Sequence, residues 1–228
     1  MRPFLARFVL SFLRKNAIFV GSYIPLSMFQ SFVSLRRFAR WVVRFRHRRG
    51  YGIHSPFAFN LVRGVVYESG EYYAYAPLHA WRQNHAADLR EKDDRLLFRL
   101  INHSRAGRAV VVGPVSAVTL RYLHEGRTSC RLTAVDTLTA ATLRGDKFGF
   151  AYVSTLSGHI DDLMTLPDHM TDGGLLVVRG IGVHKTDRAA WQRLVADERV
   201  RVSFDLHDFG LVFFESRLNK EHYVINYF

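Results

Sequence analysis

Acidic residues are missing from the first 67 positions. Met1 to Tyr67 hold 12 Arg and Lys and no Asp or Glu, whereas residues 68–228 carry 20 basic and 20 acidic side chains. The whole formal charge of +12 therefore sits at the N-terminal end, where an anionic membrane surface, an acidic macromolecule or a nucleic acid would be attracted. An ordinary basic helix face that only keeps the segment soluble is the competing reading. Cysteine is nearly absent as well. The single Cys130 excludes an internal disulfide framework and any multi-cysteine zinc site, and a reducing, cytoplasmic setting is expected. There is no Gly-x-Ser-x-Gly, no Gly-Lys-Thr phosphate loop and no His-x-x-x-His pair, so nothing points to a serine hydrolase, a P-loop enzyme or a zinc peptidase.

Long apolar runs are also scarce. Residues 17–35 are uncharged and match a bilayer core of about 30 Å in length. They include Gly21, Ser22, Pro25, Ser27, Gln30, Ser31 and Ser34, which argues against a span. No small-residue cleavage site follows before the arginines, which argues against a signal peptide. Met28 offers an alternative start, leaving 1–27 as an extension.

What is present is enough apolar residue, 48%, to build a sizeable core. The pattern divides into a basic amphipathic extension (1–50), a helical lead-in (51–105) and an α/β domain (106–228). In the extension, Phe32, Leu35, Phe38, Ala39, Val42 and Val43 recur at helical spacing over residues 29–46. They are flanked by Arg36, Arg37, Arg40, Arg44, Arg46, Arg48 and Arg49, the arginines expected to meet an anionic partner. Ser55-Pro56 predicts a helix over 56–68, with a hydroxyl cap and proline at the first turn. Further helices are predicted near 78–84 and over 95–103, the latter capped by Asp93 or Asp94.

From residue 109 strands and helices alternate, the signature of a parallel sheet. Strands are predicted at 109–112, 132–135, 150–153 and 175–178, with helices near 117–125, 160–166 and 187–197. Three β-prone runs, 200–206, 209–215 and 223–228, predict an antiparallel C-terminal hairpin.

Chemistry-bearing residues are thin on this frame. Gly113, after the first strand, stands where a glycine loop admits a ligand to the backbone, but Pro114 removes an amide and Val115 adds bulk. Asp136 ends the second strand 23 residues later, where a carboxylate can accept from ribose hydroxyls or simply cap a loop. His159, Asp161, Asp162 and His184 are acid-base or metal candidates, although carboxylates at a helix start are favoured by the dipole alone. His54 precedes a helix cap. Arg179 and Lys185 stand at the ligand-facing edge and suit an anion.

Several segments carry a resemblance. Tyr51-Gly52-Ile53-His54-Ser55-Pro56-Phe57-Ala58-Phe59, Leu96-Leu97-Phe98-Arg99-Leu100-Ile101-Asn102, the strand into Gly113, Gly173-Gly174-Leu175-Leu176-Val177-Val178, Ala190-Trp191 and Asp205-Leu206-His207-Asp208-Phe209-Gly210-Leu211-Val212-Phe213-Phe214 resemble a group of bacterial class I S-adenosylmethionine-dependent methyltransferases. The resemblance runs from about residue 45 to the C-terminus. It implies a Rossmann-like three-layer α/β sandwich and S-adenosylmethionine as cofactor. The positions it implies for the cofactor are Gly113, Ser116, Asp136 and Ser154, with His54 or His159 as a catalytic base.

The departures fall at functional positions. The family's acid before the first glycine is Val111 here, the acid closing its fourth strand is Ser154, and its later acidic pair is Arg179-Gly180. Only 13 residues separate Asp136 from Phe150, too few for the usual helix, third strand and helix. The expectation is therefore a depleted sheet of order 2-1-4-5-7-6 in the family's numbering, lacking the third strand. Its seventh strand should be antiparallel and built from the C-terminal segment. Binding of S-adenosylmethionine is expected to be weak or absent, no metal is expected, and catalysis is expected to be lost. Two alternatives stay open: an active, metal-independent methyltransferase, or a non-enzymatic protein working through its basic arm, peripheral at the inner membrane.

Overall fold

The computed structural model describes residues 53–145 and 147–227. The chain divides into two compact units, Met1–Val43 and Arg44–Phe228. Residues 1–52 lie outside the described residues; they include the whole first unit, the arginine stretch through Arg49 and the uncharged run 17–35. Among the described residues no helix is long and apolar enough to cross a membrane.

In chain order the elements are α1 (Pro56–Leu61), α2 (Tyr75–Arg82), α3 (Glu91–Ser104), β1 (Arg108–Val112), α4 (Ala117–Gly126), β2 (Arg131–Val135), α5 (Ala140–Leu143), β3 (Phe148–Val153), α6 (Ile160–Thr165), β4 (Met170–Arg179), α7 (Lys185–Ala196), β5 (Val202–Asp205), β6 (Phe209–Phe213) and β7 (Glu221–Val224). One mixed sheet runs β2-β1-β3-β4-β6-β5-β7. The first four strands are parallel, and β6 is antiparallel to both β4 and β5.

Alternation along the strands builds two cores. Ala109, Val111, Phe150, Tyr152, Leu175 and Val177 point to one face, with Leu61 of α1, Leu97 of α3 and Leu123 of α4. Val110, Val112, Ala151, Val153, Leu176 and Val178 point to the other, with Leu163 of α6 and Trp191 and Leu194 of α7. Strands covered on both faces read as unbroken apolar runs, which is why 109–112 and 175–178 carry no polar alternation. This is the expected three-layer α/β sandwich.

The third strand of the usual pattern is absent, as the short 136–150 connection requires. It leaves room only for the single turn of α5, and β2 closes that side of the sheet. The strand count is made up at the other end. The expected antiparallel strand is β6, from the middle C-terminal run, whereas the last run forms β7, parallel to β5. Both edges of β6 are already taken by β4 and β5. The chain leaving β6 adds instead at the neighbouring free edge of β5, and reversing from β6 makes it parallel to β5.

Two helices differ from expectation. The helix from Pro56 stops being α-helical at Leu61 and continues as a wider π-turn, Val62–Val66. The carbonyls of Val65 and Val66 accept from Nε and Nη2 of the buried Arg99 at 2.7 and 3.4 Å. The next long helix begins at Glu91 rather than behind an Asp cap. Asp93 and Asp94 lie in its first turn and are buried, because arginines from neighbouring segments claim their carboxylates.

Candidate functional site

The C-terminal ends of β1, β3 and β4 converge at the sheet's ligand-facing edge. Gly113, directly after β1, has φ of +88°, a conformation that a side chain strains, and its N–H donates to Val135 at 2.9 Å. In the nucleotide-binding version of such a turn the bare glycine leaves room for a ligand. Here that room is taken. A Cβ built on Gly113 would lie 2.8 Å from Ser154 Oγ and 3.2 Å from His159 Nε2.

Ser154 follows β3 and ties back through its N–H to Val112 at 3.0 Å. Its hydroxyl is buried at 2% exposure and finds no hydrogen-bond partner among the described residues. His159 stands at the N-terminus of α6 with Nδ1 3.0 Å from Asp162 Oδ2. A carboxylate only accepts, so Nδ1 carries the proton and Nε2 is turned toward Gly113. Asp162 is itself fixed, since its Oδ1 accepts from the Leu138 N–H at 3.0 Å. The arrangement is an Asp–His pair closing over a glycine beside an orphaned hydroxyl. It holds the imidazole in place, with His159 Nε2 and Ser154 Oγ against the position that a Cβ on Gly113 would take.

The second half of the edge is closed by the segment between α2 and α3. Ser116 caps α4, accepting from Thr119 N–H at 3.3 Å, and its hydroxyl donates to Asp88 Oδ1 at 2.6 Å. Arg179, at the end of β4, donates Nη2 to the Asp88 carbonyl at 3.2 Å and places Nη1 3.7 Å from Asp88 Oδ2. One carboxylate thus bridges the N-terminus of α4 and the end of β4, in the position where a helix dipole favours a bound anion.

The segment is pinned on both sides of Asp88. Arg82 bonds the buried Asp94 carboxylate and the Leu89 carbonyl. Arg90 chelates Asp93 at 2.7 and 3.1 Å and reaches Asp208 at 3.2 Å. Thr119 donates to Asp94 at 2.7 Å. Burial pushes the Asp94 carboxyl up to about 6, against the opposing pull of Thr119 and Arg82.

Of the four positions implied for the cofactor, the fold brings Gly113 and Ser154 together, engages Ser116 in the Asp88 bridge, and leaves Asp136 exposed at the outer end of β2. His159 joins the first pair. His54 is exposed ahead of α1, whose Phe57 packs edge-on against Phe213, and Phe213 pairs with Leu175, well before the β4 end. Arg179 reaches the edge but is spent on Asp88. His184 and Asp187 form the capping box of α7, with His184 N–H bonded to Asp187 at 3.1 Å. Among the described residues no group of three or more His, Cys, Asp or Glu is arranged to hold a metal.

Asp88, Arg82, Arg90 and Thr119 were not legible as site residues. Residues 71–92 have no clean hydrophobic period, so nothing in the sequence shows where that segment lies. S-adenosylmethionine, the cofactor this fold suggests, does not fit these residues as they stand. The cradle at Gly113 is filled by Ser154 and His159, and the anion position at α4 is filled by Asp88.

No protein-family model matches the chain, and no curated protein sequence matches it. Solved structures do. The chain is similar to the O-methyltransferase TomG from Streptomyces achromogenes in complex with SAM, at 13% identity over 64% of this chain and 91% of that one, with a TM-score of 0.46. It is similar to an O-methyltransferase from Bacillus cereus in complex with SAH, at 10% identity, 64% and 91% coverage and a TM-score of 0.47. A SAH-bound methyltransferase from Podospora anserina matches 85% of this chain and 98% of its own at 12% identity, with a TM-score of 0.47.

Proposed function

We propose that this chain carries a class I methyltransferase fold whose catalysis has been lost, and that the α/β domain serves as a non-enzymatic scaffold. One observation carries the reading: the space over Gly113, which a cofactor would need, is occupied by Ser154 Oγ and His159 Nε2. The strand order β2-β1-β3-β4-β6-β5 and the motifs at 51–59 and 205–214 support the family; Val111, Ser154 and Arg179 in place of acids support the loss. Calorimetry with S-adenosylmethionine and S-adenosylhomocysteine tests it. Millimolar or absent binding is expected. Micromolar binding abolished by Asp136→Ala would sink the reading and favour an active, metal-independent methyltransferase.

The charge distribution favours a second activity, located in the basic arm. All of the net charge lies before residue 68, and Arg36, Arg37, Arg40, Arg44, Arg46, Arg48 and Arg49 flank an apolar stripe that includes Trp41. Basic residues near an anionic leaflet contribute about 1 kcal/mol each. The arm then holds the protein to the cytoplasmic face of the inner membrane. In liposome flotation the full chain should bind anionic but not neutral vesicles and be released by high salt. Equal flotation after Arg36, Arg37, Arg40 and Arg44 are all changed to Gln would remove the idea.

A further inference from the structure

The sheet face that carries Val111 and Val177 ends in polar groups. Tyr152 of β3 pairs with Val177 of β4, and Arg179 lies two residues further along β4, so both side chains stand on that face. Phe209, the β6 partner of Arg179, packs in the same core. Tyr152 is buried at 1% exposure, yet its hydroxyl makes no hydrogen bond among the described residues. Burial pushes this phenol well above its ordinary value. Of the charges that it feels, those of Arg179, Asp88, Asp94 and Asp93, the largest effect is the opposing pull of Arg179.

Arg179 is underused by its partner. A guanidinium has five N–H donors, and among the described residues Arg179 bonds through one, Nη2 to the Asp88 carbonyl at 3.2 Å. Its Nη1 stands 3.7 Å from Asp88 Oδ2, an ion pair beyond hydrogen-bond length. The other carboxylate oxygen, Oδ1, accepts from the Ser116 hydroxyl at 2.6 Å. A carboxylate tethered to residue 88 thus satisfies Ser116 and leaves most of the guanidinium and the Tyr152 hydroxyl without an acceptor. The neighbouring acids are already claimed, Asp94 by Arg82 and Thr119 and Asp93 by Arg90. The Arg179 and Asp88 side chains are 34% and 35% exposed, so the carboxylate can turn out into solvent and leave its place open.

We propose that Arg179, Ser116 and Tyr152 form a binding site for a tetrahedral oxyanion, a phosphate or phosphomonoester group, in which the Asp88 carboxylate is a displaceable internal occupant. Arg179 takes two oxygens of the anion in its planar fork, the geometry that suits a guanidinium to phosphate. Ser116 turns its hydroxyl from Asp88 to a third oxygen, and Tyr152 gains an acceptor. The methyltransferase resemblance puts an acid at position 179, which would repel such a ligand, so the arginine is what makes the site. The proposal concerns Asp88 and Arg179 rather than the space over Gly113. It does not rest on the loss of catalysis, and the two readings fail in separate titrations.

Calorimetry of the full-length protein with inorganic phosphate, against chloride at matched ionic strength, reads the site. Asp88→Asn keeps the backbone carbonyl and removes the competing charge, so it should bind phosphate about tenfold more tightly than the unaltered protein. Adding Arg179→Gln should abolish that gain, which separates this site from the basic N-terminal segment. Adding Tyr152→Phe instead should weaken binding about threefold. Glycerol phosphate titrated beside inorganic phosphate shows whether the site takes an ester or the free ion, by which of the two binds more tightly. Circular dichroism checks folding; if Arg179→Gln is unfolded, Arg179→Lys, which keeps the charge without the fork, carries the test with a smaller loss. Three results overturn the proposal: an Asp88→Asn protein that binds phosphate no more tightly than the unaltered one, binding that survives the change at Arg179 and is therefore an adventitious ion only, or acetate bound as tightly as phosphate.

Discussion

The carboxylate of Asp88 lies 2.6 Å from the hydroxyl of Ser116, so the residue that caps α4 is bonded to a segment 28 positions earlier in the chain. Removing the carboxylate should free that segment while leaving the sheet intact. Asp88→Ala is expected to cost about 1 kcal/mol and to speed amide exchange in residues 84–90, with core-strand amides nearly unchanged. Hydrogen-exchange mass spectrometry measures this. Unaltered exchange in 84–90 would show that Asp88 does not hold the segment.

Ser154 presents the reverse case, a buried hydroxyl with no hydrogen-bond partner among the described residues. Deleting an unsatisfied polar atom from an apolar site removes a desolvation cost rather than a bond. Ser154→Ala should be neutral or stabilising by up to about 1 kcal/mol in urea denaturation. A loss of stability of comparable size would mean that the hydroxyl has a partner in solution.

Gly210 in β6 is kept small by packing. A Cβ there would overlap the six-membered ring of Trp191 on α7, and that ring is buried at 1% exposure. Gly210→Ala should therefore cost about 1–3 kcal/mol through overpacking, with a change in tryptophan emission. A thermal midpoint equal to that of the unaltered protein would show that α7 yields freely.

Asp94 makes stability depend on pH. Its folded pKa is raised by burial to about 6, above the value of an unfolded chain, so the folded state holds this proton more tightly. The associated stability is fully present below about pH 4 and is lost as the pH rises through about 6. Relative to Asp94→Asn, which cannot titrate, the unaltered protein should lose on the order of 3 kcal/mol between those limits. Urea midpoints of the two proteins across pH 4 to 7.5 provide the comparison. Parallel curves would mean that the Arg82 and Thr119 contacts outweigh burial.

The strands were legible because burial on both faces forces runs such as 109–112 and 175–178 to be apolar throughout, and one helix start was legible where a local cap marks it, at Ser55-Pro56. The missing third strand could be read from chain length alone, since 13 residues cannot cross the sheet and return. Asp93 and Asp94 misled for a physical reason. An acid before an apolar period looks like a cap; Arg90, three residues before Asp93, pairs with it locally, and only the arrival of Arg82 and Thr119 from other elements makes burial of Asp94 tolerable.

By itself the sequence determined the layer architecture and the absence of acids at Val111, Ser154 and Arg179, because periodicity and strand-end position are local properties; the order of the strands came only from the resemblance. Tertiary structure decided what stands in place of those acids. Ser154 and His159 meet over Gly113 because β1 and β3 are sheet neighbours, although Ser154 follows Gly113 by 41 positions in the chain. Asp88 reaches Ser116 and Arg179 only because an aperiodic segment is drawn across the edge by ion pairs that sequence spacing cannot reveal. Likewise β7 took the free edge of β5 because β6 had none left. Long-range pairing depends on which edges and charges remain unsatisfied once the rest has folded, and a linear reading does not contain that information.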